Sequence, residues 1–382
     1  MTRTLAVLCA LLLQGMSAAS ASEPSEPSWS VVGDVRGGYF GSRTTNRAGV
    51  RSETDEARAR LRLALRGQLD PRWSVHAGMA TRYGSDQTQS SLYLRGYPPE
   101  RGGTRLGDTT LDRLQLAYQS PDDSWRITVG RMQTRSAMPD LMNKSLDRKN
   151  SSNISVNWTD GLHLEVGRLS AWQTHLILQH NHRKGSSSVT RAPLDFSARR
   201  SRVSAFISLD NRHPVGPVVQ RTLGITWLPQ ALAPQGIDDP ERRDYVILTT
   251  KVAAAWPLGQ QGQRLIWGLE TGYAPIRPDA EVMATGRTGR AGGFAWHTSL
   301  TLFDLMPDHN LGIIYGQTEA GWLLSPDFRP NDNTAEIRYQ RRFPGAWSFE
   351  ARYRFREERR IPWDVEQGRR DADVYVRLTG RL

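Results

Sequence analysis

Apolar and polar positions alternate with period two along much of this chain. Between Ala57 and Leu69 one parity carries Ala57, Ala59, Leu61, Leu63, Leu65, Gly67 and Leu69, and the other carries Arg58, Arg60, Arg62, Ala64, Arg66 and Gln68. Side chains alternate across a strand, so the segment has one apolar and one cationic face, whereas a helix would scatter its arginines. It is also longer than the usual soluble strand of about five or six residues. Trp347, Phe349, Ala351, Tyr353 and Phe355 alternate with Ser348, Glu350, Arg352, Arg354 and Arg356. Leu265 to Tyr273 and Val246 to Ala254 repeat the pattern. Alternating segments of about ten residues, separated by turn signals, predict an all-β transmembrane antiparallel up-and-down β-barrel.

The connections alternate in length. Short turns are predicted at 69–72, 120–124, 159–161, 306–310 and 343–345, and long polar stretches at 85–106, 135–150, 183–199, 229–243, 274–292, 325–333 and 357–370. Short turns at one end and long loops at the other suit a barrel and have no purpose in a soluble sandwich. The count comes to about sixteen strands, with eighteen the alternative. The first lies near 31–41, the last at 373–382, and 162–181 reads as one long strand or two short ones, an even count favouring one. Trp73, Trp125 and Trp347 follow predicted turns, and Trp158 and Trp256 precede them. All five are expected at one height, in a membrane interface.

The chain start changes the compartment. Thr2 and Arg3 precede an apolar run from Leu5 to Leu13, then Ala19-Ser20-Ala21. Residues 1–21 read as a signal peptide and 22–382 as the barrel; the run falls short of the roughly 20 residues a spanning helix needs. The single cysteine, Cys9, lies in that run, so the mature chain is expected to hold no disulfide and no thiolate metal site. The formal charge of +11 would suit a polyanion, but export argues against nucleic acid. With no other apolar run of spanning length, an exported chain is either soluble in the periplasm or crosses a membrane as a barrel.

If Leu61, Leu63 and Leu65 face lipid, the arginines between them face water, because Arg at mid-bilayer costs about 2–4 kcal/mol. The same parity turns Arg36, Arg58, Arg60, Arg62, Arg66, Arg338, Arg342, Arg352, Arg354, Arg356, Arg377 and Arg381 inward. Closure pairs the first strand with the last, so these side chains are expected to form one basic wall, partly neutralised by Glu336 and Glu350. Such a wall concentrates anions. The plainer reading makes the arginines lumen spacers paired with acidic loops.

Ala59-Arg60-Leu61-Arg62-Leu63, Leu114 to Tyr118, Trp125-Arg126-Ile127-Thr128-Val129-Gly130-Arg131 and the terminal alternation of Val374, Val376, Leu378, Gly380 and Leu382 resemble Gram-negative porins. The early pieces are also similar to the alginate-export group of barrels. The porin resemblance implies an outer-membrane location among its lipids, barrel-assembly machinery that reads the last strand, and a homotrimer. It also implies a third outer loop that narrows the lumen, here holding Arg135, Lys144, Arg148 and Lys149 against Asp140 and Asp147. The terminal residue is Leu382, where such strands usually end in Phe. His76, His163, His175, His180, His182, His213, His297 and His309 are scattered, and His180 with His182 is a pair lacking a third ligand. No Gly-x-Ser-x-Gly, phosphate loop or dinucleotide fingerprint occurs. The expectation is a passive pore for small hydrophilic solutes that favours anions, with no enzymatic activity, cofactor, metal or nucleic acid. The alternatives are an export conduit for an acidic polysaccharide such as alginate, and a rim enzyme.

Overall fold

The computed structural model describes residues 27–84, 91–93, 108–148, 159–182, 191–233, 242–259, 262–325 and 327–381. The expected signal peptide, Cys9, Lys149, Trp158 and Leu382 lie outside the described residues. The strands are β1 (Ser28–Thr45), β2 (Arg51–Gln68), β3 (Trp73–Gly84), β4 (Ser91–Tyr93), β5 (Asp108–Gln119), β6 (Trp125–Met132), β7 (Thr159–Val166), β8 (Trp172–His180), β9 (Val203–Asn211), β10 (Val218–Leu232), β11 (Arg243–Pro257), β12 (Arg264–Ile276), β13 (Phe294–Met306), β14 (His309–Thr318), β15 (Asp332–Phe343), β16 (Trp347–Glu358) and β17 (Arg370–Arg381). Each pairs antiparallel with its sequence neighbours, except that β3 pairs directly with β5 and the three residues of β4 run parallel to β5. β1 pairs with β17, Asp34 opposite Arg381 and Thr45 opposite Arg370. Sixteen antiparallel strands thus close one up-and-down barrel, and the eighteen-strand alternative is not what forms.

Two expectations fail between 159 and 181. Thr159-Asp160-Gly161 is the start of β7 and not a turn, and 162–181 is two strands joined at 167–171. Gly161 is there for close approach: a Cβ would sit 1.9 Å from the Leu178 carbonyl oxygen across the ladder. The true turn uses Gly167 at φ 77°, a conformation that favours glycine, and is held by Ser170 N–H donating to Gly167 O at 2.9 Å.

Side-chain parity follows the period-two pattern. Leu61, Leu63 and Leu65 are each more than two-fifths exposed on the outside, while Arg60 and Arg62 between them are buried at 1% and 9%. Ile337, Tyr353, Val374, Val376 and Leu378 continue the apolar exterior around β15–β17. So large a continuous apolar surface on a closed sheet is a lipid-facing band. Trp125, Trp172, Trp256 and Trp347 are exposed beside the short turns, with Tyr118 packed between Trp73 and Trp125 at ring distances of 4.9 and 5.3 Å. Tyr39, Tyr273, Phe294, Tyr315 and Tyr353 stand exposed towards the loop ends. Two aromatic girdles bracket the band, as amphipathic rings at two interfaces should.

The only large apolar core among the described residues lies inside the barrel. Trp322, Leu323, Leu324 and Phe328 from the loop after β14 pack with Met142, Leu146, Leu194 and Phe196 against Leu228, Tyr245, Ile247, Ala274, Ala295 and Ile314 of β10–β14. Tyr245 Oη donates to Gly321 O at 2.9 Å and accepts from Leu323 N–H at 2.8 Å. Loops therefore fill one half of the interior around this apolar cluster. The arginines occupy the other half.

Candidate functional site

Strands β15, β16, β17, β1 and β2 are neighbours in the ring, so their inward arginines come together. The register sets like charges side by side: Arg338 is opposite Arg352, and Arg36 is opposite Arg60. Like charges in directly opposed positions destabilise a ladder, and interleaved carboxylates offset the repulsion. Asp34 Oδ1 accepts from Arg60 Nη2 at 2.5 Å and lies 3.3 Å from Arg36 Nε. Glu336 holds Arg338 at 2.5 Å and Glu350 holds Arg377 at 2.9 Å. Asp373 binds Arg352 and lies 2.8 Å from Arg354 and 3.6 Å from Arg356. Arg58 pairs with Glu56 and lies over the Phe40 ring, 4.0 Å from its centroid. Arg352 and Arg377 flank Tyr375 at 4.2 and 5.1 Å. The side chains are ordered into a charged lattice in which Asp373 serves three guanidiniums, so cations exceed anions along the wall.

Two members of the expected set stand apart. Arg342 pairs with Asp304 and, at 3.4 Å, with Asp308 of the turn between β13 and β14, and its side chain is half exposed. Arg381 is exposed at the turn-side end of β17. Both belong to the rim. Arg66 is exposed towards the same end of β2. Arg113, which the expected set leaves out, has the inward parity set by outward Leu114 and Leu116, and next to it a register shift between Gly78 and Met79 interrupts the β3–β5 ladder. That bulge turns both Asp112 and Arg113 inward: Asp112 lies 2.9 Å from Arg62, and Arg113 is 3.4 Å from His76 Nε2.

The loop after β6 enters the barrel and lies against the β10–β15 side. Its buried charged residues are anchors. Lys144 Nζ is 3.0 Å from Glu336 and 3.4 Å from Asp327. Asp147 receives Lys251 Nζ at 2.9 Å and Thr249 Oγ1 at 3.0 Å. Lys251 also reaches Glu270 at 3.2 Å and donates to Ser136 O at 2.7 Å. Arg148 donates to Thr134, Thr159 and Gln179 at 2.9–3.1 Å, and Ser299 donates to Asp140. Backbone contacts add to this: Leu146 N–H donates to Glu270 at 3.0 Å, and Trp322 Nε1 donates to Leu146 O at 3.0 Å. Inward Gly268 and Gly312 make room for the loop, since a Cβ there would meet Met138 Sδ at 2.8 Å and Met142 Sδ at 2.6 Å. Burial pushes the Lys144 ammonium down to about 8, against the pull of Glu336 and Asp327. Burial would raise the Asp147 carboxyl, but Lys251 and hydrogen bonds from Ser145 and Thr249 outweigh it and hold that group below its ordinary value.

Arg135 alone of the loop's described charged residues is exposed. It shares a recess of about 540 Å³ with Arg212, Arg264, Met138, Pro139 and Gln220. Arg212 and Arg264 adjoin turn-side connections, so the recess is a basic vestibule beneath the loop. The outward or loop-end histidines do not join the lumen: His182 Nε2 is 2.6 Å from Asp160, which also binds Arg131 at 2.8 Å, and His180 packs edge-on against His182.

No protein-family model and no curated protein sequence matches this chain. Among solved structures, the barrel is similar to Pseudomonas putida OprB in its high-pH form, at 11% identity and TM-score 0.59, over 93% of this chain and 94% of that one. It is similar to an anion-selective porin from Comamonas acidovorans at 10% identity and TM-score 0.53, over 94% and 100% of the two chains. Pseudomonas aeruginosa OprD matches at 10% identity and TM-score 0.54, over 96% and 98%. At these identities the likeness is one of fold: the chain shares the antiparallel barrel of those porins.

Proposed function

We propose that this chain is a passive pore of the Gram-negative outer membrane for small hydrophilic solutes, and that it favours anions. The single observation that carries the reading is the pair of like-charge cross-strand contacts, Arg338 opposite Arg352 and Arg36 opposite Arg60. A fold has no structural need to oppose guanidiniums in this way. In a narrow passage walled by protein, the same arrangement raises the local concentration of anions. The loop after β6 supports the reading: it narrows the passage while its buried charges, Asp140, Lys144, Asp147 and Arg148, are used up in anchoring, which leaves the arginine wall to set selectivity. The fold likeness to an anion-selective porin points the same way. Insertion by barrel-assembly machinery and assembly as a homotrimer are part of the proposal. An export conduit for an acidic polysaccharide would draw on the same wall, but a lumen half filled by a loop core favours small solutes.

The test is the reversal potential in a planar bilayer under a salt gradient. Wild type is expected to be anion-selective. Arg60→Ala/Arg62→Ala/Arg354→Ala leaves Asp34, Asp112 and Asp373 less compensated and is expected to shift the potential towards cations. A cation-selective wild type, or an unmoved potential in the triple variant, refutes the filter.

A further inference from the structure

On the wall opposite the main arginine cluster, β7 and β8 turn His163, Glu165 and His175 into the lumen. The parity is that of Ile177, which is 3% exposed on the inside, while Leu178 is exposed on the outside. Glu165 and His175 are directly opposed across the ladder, and His163 is opposite Ile177. The position is turn-side, because the strands meet at 167–171 just beyond. His163 Nε2 is 3.1 Å from His175 Nδ1, and His175 Nδ1 is 3.8 Å from Glu165 Oε1. One donor atom from each of the three lies within 4.8 Å of the others. Glu165 and His175 each keep about a fifth of the side chain exposed, so the cluster is reachable from the water in the lumen.

We propose that these three residues form a binding site for one divalent transition-metal ion of the Zn²⁺, Co²⁺ or Ni²⁺ class. Two imidazole nitrogens on a tetrahedral ion, with bonds of 2.0–2.1 Å, stand about 3.3 Å apart, close to the separation seen here. Glu165 closes the remaining gap by a rotation within its side chain. Gln173 Nε2 donates to Glu165 Oε1 at 3.3 Å, the kind of outer hydrogen bond that orients a metal-binding carboxylate. A neutral histidine pair sharing one proton would account for the 3.1 Å contact. It does not account for a carboxylate oriented by Gln173 beside both rings.

The surroundings select the metal. Arg126 and Arg148 bear on His163, and Arg212 and Asp210 bear on His175. Arg212 and Asp210 pair with each other at 2.7 Å. The local field therefore does not favour a cation, and inner bonds to imidazole must hold it. Ca²⁺ and Mg²⁺, which require mostly oxygen ligands, find one carboxylate. Metals with affinity for imidazole find two nitrogens and an oxygen. The remaining coordination positions face the lumen, open to water or to a donor atom of a passing solute.

The test uses the full protein purified in detergent, with Zn²⁺ and Co²⁺ as probes. Equilibrium dialysis is expected to find one equivalent per chain. His163→Gln/His175→Gln should lose that equivalent, Gln173→Leu should weaken it by about 10-fold, and His182→Gln should leave it unchanged. Ca²⁺ and Mg²⁺ at the same concentration should not compete. X-ray absorption of the wild-type Zn²⁺ form supplies a reading that needs no variant: it should show two imidazoles and oxygen at about 2.0–2.2 Å. Absence of a stoichiometric ion, a Zn²⁺ spectrum without imidazole scattering, or binding that survives the double substitution overturns the proposal.

Discussion

Lys251→Met removes the cation at the centre of the loop's attachment. Lys251 is 1% exposed and its Nζ contacts Asp147 at 2.9 Å, Glu270 at 3.2 Å and Ser136 O at 2.7 Å. Without it two buried carboxylates lose their cation. Breaking a buried pair from one side costs about 3–5 kcal/mol. Here the low end applies, because each carboxylate keeps other donors: Asp147 keeps Ser145 Oγ at 2.6 Å and Thr249 at 3.0 Å, and Glu270 keeps Leu146 N–H at 3.0 Å and His297 at 2.9 Å. About 3 kcal/mol is a factor of roughly 100 in the ratio of docked to released loop. Single-channel recording reads this directly. The variant is expected to show frequent excursions to a different conductance and higher open-channel noise, and Asp147→Asn/Lys251→Met should recover part of the quiet behaviour because one stranded charge is gone. Lys251→Met traces that superimpose on wild type, with barrel stability unchanged, would refute the view that this lysine holds the loop.

Gly312→Val should produce the same noise through crowding, since its Cβ would meet Met142 Sδ at 2.6 Å and Thr301 Oγ1 at 3.3 Å, at a cost of about 1–3 kcal/mol; recordings beside wild type check it. Acid should also release the loop. The Asp147 carboxyl is held below its ordinary 3.8 by its docked partners, so its contribution is complete above about pH 4 and is lost as pH falls through the docked value. Noise should rise as pH falls below 4, and Asp147→Asn should remove that part of the dependence. Leu63→Arg places a charge on the lipid face and should destabilise the barrel by about 2–4 kcal/mol, measured by urea unfolding in lipid vesicles.

The barrel, its strand parity and its arginine-bearing face were all legible in the sequence, because each depends only on which residues are two apart. The interior was not. The Asp147–Lys251 attachment joins positions 104 residues apart, and no local pattern announces such a partnership. Trp322-Leu323-Leu324 in an otherwise polar connection was a usable sign that this loop is buried. Thr159-Asp160-Gly161 misled because glycine serves two needs, a turn or a close backbone approach, and only the neighbouring strand distinguishes them. Asp112 could not be placed by alternation because a bulge reverses parity in the middle of β5, whereas Arg113 follows the parity of Leu114 and Leu116. The histidines on β7 and β8 looked scattered because the chain separates by a dozen positions what the ladder sets side by side.

The pairing of β1 with β17 has a consequence for how the molecule is made. Among the described strands every other antiparallel pairing joins neighbours along the chain, with β3 reaching β5 across the short β4, but this one joins residues more than 300 positions apart. Until Arg370–Arg381 arrives, both Ser28–Thr45 and Trp347–Glu358 have an unsatisfied backbone edge, which attracts any other extended polypeptide. A chain cut short before Arg370 therefore presents an open sheet edge and not a smaller closed channel.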